Sequence, residues 1–154
     1  MRLTNRFVGI LIALAICFSL NVGAQQKTAD AERSLLDAVN QERRSHGLNP
    51  LRWDDALANA ARKHAQRMAE QRTISHQFPG EPNLLSRARA AGVHFSWLSE
   101  NVDEGQNARA IHQSFMKSAL HRANILDKDM DSAGIGVVER DGQLFAVEDF
   151  SKAK

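Results

Sequence analysis

Few of the residues that build cross-linked or thiolate sites are present in this chain. Its 154 residues hold one cysteine, three prolines and no tyrosine. The cysteine, Cys17, sits in an apolar N-terminal stretch, so the rest of the chain has no disulfide and no thiolate metal site. There is no H-E-x-x-H zinc motif and no G-x-S-x-G nucleophile elbow. Gly134 and Gly136 lack the third glycine and following helix of a phosphate-binding loop. No internal repeat, low-complexity tract or long block of one charge appears. What remains is a compact domain whose stability comes from its core.

The first 24 residues read as an export signal. Arg2 and Arg6 precede an apolar run from Phe7 to Leu20, and Val22-Gly23-Ala24 forms a small-residue cleavage site. The run falls short of the roughly 20 apolar residues a membrane span needs. An uncleaved anchor is the alternative. Ile16 before Cys17 does not fit a lipoprotein signal. Cleavage after Ala24 leaves 130 residues, enough for one domain, with 18 basic and 18 acidic side chains. That balance gives no electrostatic case for nucleic acid or an anionic membrane. The expectation is a secreted or periplasmic monomer with no transmembrane segment in the mature chain.

Periodicity lays out the elements. Asp30 to His46 forms a first helix with Leu35, Leu36 and Val39 inward and Gly47 as its left-handed stop. Gln25 to Thr28 is a short polar leader before it. Asp54 or Asp55 starts a second helix to Gln71, with Leu57, Ala61, Ala65 and Met68 on one buried face. His64 is a histidine at the core edge of that helix. Residues 73–82 form a loop, Asn83 to Ala91 a short helix, and Val93–Phe95 and Trp97–Val102 extended segments around a bend. Residues 103–107 are a loop. Ala108 to Lys117 is a helix with Ile111 and Phe115 inward. Ser132 to Arg140 and Gln143 to Phe150 are strands joined by an Asp141-Gly142 hairpin turn, and residues 151–154 form a tail. Glycines 134 and 136 allow close backbone approach. Trp53 and Trp97 are core or core-edge anchors. Helices first and a sheet late give an α+β class, a layered sandwich.

Three residues stand out as chemistry-bearing. His76, Glu100 and His121 are separated by 24 and 21 positions. Together they could hold a divalent cation with an open position, or act as an acid and base set. Singly they read as a loop histidine, a strand-end carboxylate and a histidine meeting a helix dipole. Arg122 could pair with Glu100, Asp103 or Glu148. Asn124 bonds local backbone. Glu148 and Asp149 are neighbours on a strand and so point to opposite faces, one to the helices and the other to solvent.

The ordered set of segments resembles the CAP superfamily (cysteine-rich secretory proteins, antigen 5 and pathogenesis-related 1 proteins), in its compact bacterial branch. The matching pieces are Leu36-Asp37-Ala38-Val39-Asn40, Leu51-Arg52-Trp53-Asp54, Ser75-His76, Ser99-Glu100-Asn101-Val102, His121-Arg122-Ala123-Asn124-Ile125-Leu126 and Gly134-Ile135-Gly136-Val137. They place the domain at residues 35–150. The resemblance implies an α-β-α sandwich with a central antiparallel sheet. It also implies a cleft lined by two histidines and two acids, in which some members bind zinc or another divalent cation. His76, Glu100 and His121 match three of the four. The second acid falls near Ser118, which is not acidic, and Glu148 is a candidate replacement. Arg122, Asn124, Ser118 and Glu148 then support the cleft.

The function expected is a ligand-binding or interaction module for a small molecule, lipid or peptide, with no cofactor required. A metal-assisted hydrolase acting on peptide or cell-envelope material is the alternative, with His76, Glu100 and His121 as its catalytic residues. A non-catalytic structural component of the envelope is a third.

Overall fold

The structure is a computed structural model describing the backbone of residues 5–154 and the side chains of residues 25–154. The export-signal reading of residues 1–24 therefore lies outside the residues described in full. The elements are α1 (Asn5–Ser45), β1 (Arg52–Trp53), α2 (Asp55–Gln71), α3 (Leu84–Ala90), β2 (Phe95–Gly105), α4 (Ala108–Lys117), α5 (Ala119–Ile125), β3 (Ser132–Arg140) and β4 (Gln143–Ala153). Strand order is β1-β3-β4-β2. β3, β4 and β2 are antiparallel neighbours, while β1 adds two residues in parallel to β3. The sheet is thus mixed, with its long strands antiparallel as expected.

Alternation along the strands divides the core into two layers. Ala133, Ile135 and Val137 of β3, with Leu144, Ala146 and Phe150 of β4, pack against Leu35 and Val39 of α1, Ile111 and Phe115 of α4, and Ile125 of α5. On the other face Phe145 and Val147 meet Ala61, Ala65 and Met68 of α2, and Leu57 meets Ala88 of α3. Helices cover both faces, giving the α-β-α sandwich.

α2 follows its sequence closely. Asp54 caps it by accepting from the Leu57 amide, and its alanine-rich face is buried throughout. The helix lies almost on the backbone of β3. A Cβ added at Gly134 would collide with the backbone of Leu57 and Ala58, and one at Gly136 with that of Ala61 and Arg62. The β3–β4 turn has Asp141 at φ +53° and Gly142 at φ +82°, the geometry of a type I′ hairpin.

Several boundaries differ from the sequence reading. α1 runs through Asp30 without a cap, and the Gln25–Thr28 leader is helical within it. Ala31 and Glu32 are already buried, so the packed domain begins before Leu35. β2 is one strand through residues 103–105, with a bulge between Phe95 and Trp97 where a bend was expected. β4 continues to Ala153, so most of the expected tail is strand. Trp97 is not a core anchor: it is 61% exposed. Among the described residues no helix is long and apolar enough to cross a membrane.

Replacing Gly134 or Gly136 with alanine forces α2 off the sheet. Overpacking costs about 1–3 kcal/mol where side chains can yield, and here the obstacle is backbone. Each variant is expected to lose at least 3 kcal/mol, about, relative to the parent in urea denaturation. A change below about 0.5 kcal/mol, within the range of an ordinary surface substitution, would refute this packing.

Candidate functional site

Glu100 is at the centre of the site and is almost fully buried, on the edge strand β2. It pairs across the sheet with Asp149, so both point to the α2–α3 face. One carboxylate oxygen accepts from His76 Nδ1 at 2.9 Å. The other accepts from Arg87 Nη2 of α3 in a short charge-assisted bond. Arg87 is itself buried, and its Nη1 donates to the carbonyls of His76 and Pro82 at 3.1 and 3.2 Å. One guanidinium therefore fixes the carboxylate and the loop that carries His76.

His64 holds the other end of that loop. It is fully buried in α2, with Nδ1 2.7 Å from Glu81 Oε1 and Nε2 2.7 Å from the Ser75 carbonyl. Glu81 Oε2 also accepts from the Phe78 amide. His64 is a loop anchor well inside the core edge where its periodicity put it. The His76 side chain remains 63% exposed. Its hydrogen bond to Glu100 raises its pKa, with burial and Arg87 opposing.

His121 belongs to the opposite layer. It lies in α5, edge-on to the Phe115 ring with centroids 5.1 Å apart. Burial lowers its pKa, Asp103 opposes the shift, and the charge of His76 adds to it. His76 and His121 approach β2 from its two faces, His76 through Glu100 and His121 through its carbonyl, which accepts from Asn101. Ser118 ends α4 and caps α5, where its Oγ faces the His121 amide at 3.5 Å. A serine suits that junction as a cap.

The remaining candidates are redistributed. Glu148 pairs with Asn101, on the face opposite Glu100, so it cannot replace the second acid beside His76. Neither Glu148 nor Asp149 faces solvent; both are fully buried because helices cover both faces. Asn101 Nδ2 donates to Glu148 Oε2 and to the His121 carbonyl, each at 3.2 Å. Asn124 Nδ2 donates to Asn101 Oδ1 at 2.9 Å and to the Glu100 carbonyl at 3.3 Å. Asn124 thus bonds across to β2, beyond its local backbone. Arg122 pairs with none of its three expected carboxylates and donates to the Met116 carbonyl. Arg87, the true partner of Glu100, has no sequence signal apart from being an arginine on a short helix.

Burial dictates the acid chemistry. It raises the Glu148 pKa to about 8, against the opposing bond from Asn101. It also holds Asp149 well above the usual carboxylate range, helped by the adjacent Glu100 charge. Neither Asp149 oxygen has a hydrogen-bond partner as an anion. As a neutral acid it can donate to Glu100.

The donors do not suit a metal ion. Glu100 has both oxygens engaged, and His121 lies in the other layer. Among the described residues no group of three or more His, Cys, Asp or Glu is arranged to hold a cation. The expected His76, Glu100 and His121 ligand set is therefore reduced to one bonded pair with His121 across the strand.

Two outcomes follow. Arg87→Ala leaves the Glu100 charge buried with one oxygen bare, and a broken buried pair costs about 3–5 kcal/mol. Chemical denaturation near pH 7 should show that loss; a variant as stable as the parent would sink the clamp. Glu148 keeps its proton when folded up to about pH 8 but loses it near the usual value when unfolded. The unfolded state then binds fewer protons, so stability falls as pH rises across that window, by up to about 1.4 kcal/mol per unit. Glu148→Gln should flatten this slope and gain most at its upper end. An unchanged slope in thermal melts would contradict it.

The sequence pattern of the Cysteine-rich secretory protein family (CAP) matches residues 36–150. The Bacillus subtilis protein YkwD is 30% identical over 109 residues, 70% of this chain and 42% of the relative. A Bacillus subtilis membrane protein, YlbC, is 31% identical over 108 residues, 70% of this chain and 31% of the relative. The chain thus spans less than half of either. An extracellular protein containing a SCP domain from Bacillus anthracis superposes with a TM-score of 0.79 at 26% identity, over 84% of this chain and 42% of that one. An outer surface protein from Borrelia burgdorferi gives 0.76 at 23% identity, over 82% and 96%, a likeness of fold. The match over most of its length, with the sandwich fold it shares, makes this chain a member of the CAP family.

Proposed function

We propose that the chain is an exported binding module, secreted or periplasmic, that takes its ligand at the β2 edge between His76 and His121. The observation that supports this most is that both oxygens of Glu100 are held, one by His76 and the other by Arg87. A hydrolase that used this carboxylate itself as its base or as a metal ligand would need it free. What is left accessible is His76, a cationic donor up to a raised pKa, and His121, an imidazole biased toward its neutral form. Such a pair favours an anionic or hydrogen-bonding head on a small molecule, lipid or peptide. Ile74 and Leu120, exposed at 43% and 80%, are sequence neighbours of the two histidines and supply apolar contact for the ligand body. The export reading draws support from the N-terminal segment and from the extracellular and outer-surface relatives.

The test is calorimetry with palmitate below its micelle concentration, with an acidic peptide and with zinc. Turnover of casein and of purified peptidoglycan is assayed alongside. Binding of palmitate or the peptide is expected, weakened about tenfold in His76→Ala, the loss of one charge-assisted bond. It should also fade as pH rises through the His76 titration, since only the protonated ring attracts the anion. Substrate turnover abolished in both His76→Ala and His121→Ala would replace this reading with the hydrolase. So would micromolar zinc binding lost in both. Absence of binding to either organic probe would also overturn it.

A further inference from the structure

A second site lies on the other face of the sheet, independent of the His76 edge. Trp97 shares its face with Ser99 and Asn101, the side packed by α4 and α5, whereas Glu100 looks toward α3. At the end of that face a groove of about 450 Å³ is lined by Ser96, Trp97, Asp127, Asp129 and Lys152. The groove is built on fixed parts. Ser96 is the extra residue of the β2 bulge, and its Oγ donates to the carbonyls of Lys152 and Ala153. The Asp127 carbonyl accepts from buried Arg43 at 2.8 Å, and its side chain accepts from the Asp129 amide at 2.9 Å. The turn below the indole is therefore clamped from beneath.

An exposed indole on a rigid bulge is unusual in this chain. Trp53, its only other tryptophan, donates its indole N–H to Asp55 and lies under Arg62. Trp97 has no such partner among the described residues, and no aromatic or cationic side chain stacks on it. The lining carries Asp127, Asp129 and Lys152, and Lys128, just outside it, balances the second carboxylate: Asp129 is 3.2 Å from the Lys128 ammonium and 3.8 Å from that of Lys152. A net anionic groove would call for a cation, and a wholly apolar one for a lipid or protein surface. A neutral groove with an aromatic floor, carboxylate acceptors and ammonium donors fits a neutral polyhydroxyl ring. The apolar C–H face of a pyranose would lie on the indole while its hydroxyls meet both kinds of partner.

We propose that this groove binds a carbohydrate chain, with Trp97 as the stacking platform and Asp127, Asp129 and Lys152 as the hydroxyl partners. The test follows the two indole N–H signals of the full chain by NMR during titration with chitotetraose, cellotetraose and mannotetraose. Trp97→Ala assigns the signal and, with the indole so exposed, leaves the fold intact. At least one tetrasaccharide is expected to shift the Trp97 signal saturably and leave Trp53 in place. Calorimetry should show binding weakened at least tenfold, about 1.4 kcal/mol, by Trp97→Ala, and weakened also by Asp129→Asn. No shift with any of the three sugars would overturn the proposal. So would equal affinity in Trp97→Ala, a response to choline alone, or sedimentation showing a dimer that buries Trp97.

Discussion

The close approach of α2 to β3 is the constraint on which the rest depends. Two glycines let a helix backbone rest on a strand backbone, and the alanines of α2 keep the layer thin. Once α2 is seated there, that face of the sheet is dry. The other face is already closed by α1, α4 and α5. Two adjacent strand residues, Glu148 and Asp149, then have nowhere to meet water. Their acidity is a consequence of the layering more than of any neighbour, since desolvation is the largest influence on both.

Buried arginines do work here that disulfides do in many small secreted domains. Arg43 of α1 is almost fully buried and donates to the carbonyls of Asn49, Ile125, Asp127 and Met130. It ties the first helix to the chain between α5 and β3. Arg87 does the same for the His76 loop and β2. Each guanidinium has several donors in a rigid plane, so one side chain can satisfy carbonyls from separate segments. A lysine would offer a point charge without that reach. Removing either group would strand buried carbonyls or a carboxylate, whereas a reduced disulfide would leave only two small thiols.

The regular parts of the fold were legible because local chemistry and tertiary need agree there. α2 has a cap, a clean apolar face and alanine where contact is close. The Asp-Gly turn requires positive φ at both positions, and its residues supply it. The Gly134 and Gly136 approach was also visible, since nothing else explains two glycines in an apolar strand. β1 was not legible, because two residues carry no period and its parallel partner lies 80 positions away in sequence. Arg87 was hidden for the same reason: its role depends on a carboxylate 13 residues on, across two elements. The opposite faces of Glu148 and Asp149 followed from strand alternation, but that each face is covered by its own helix layer could not be read from the strand. Trp97 was misplaced because a bulge at Ser96 and the end of α5 leave its face uncovered, and neither is encoded in the residue.

The histidines show how the sandwich makes unlike sites from like residues. His64, His76 and His121 differ by what their element presents to them. His64 is enclosed between a carboxylate and a carbonyl, so its ring is committed to holding a loop. His76 has a carboxylate on one side and solvent on the other, which favours its charged form. His121 lies against an aromatic ring, and burial, with the charge of His76 adding to it, favours its neutral form. Because β2 is an edge strand, side chains from both layers reach its rim, which a central strand would keep apart. A serine at the α4–α5 junction caps the helix that presents His121. The outcome is a rim on which one histidine prefers its charged form and the other its neutral form, beside a carboxylate whose two oxygens are held by His76 and Arg87.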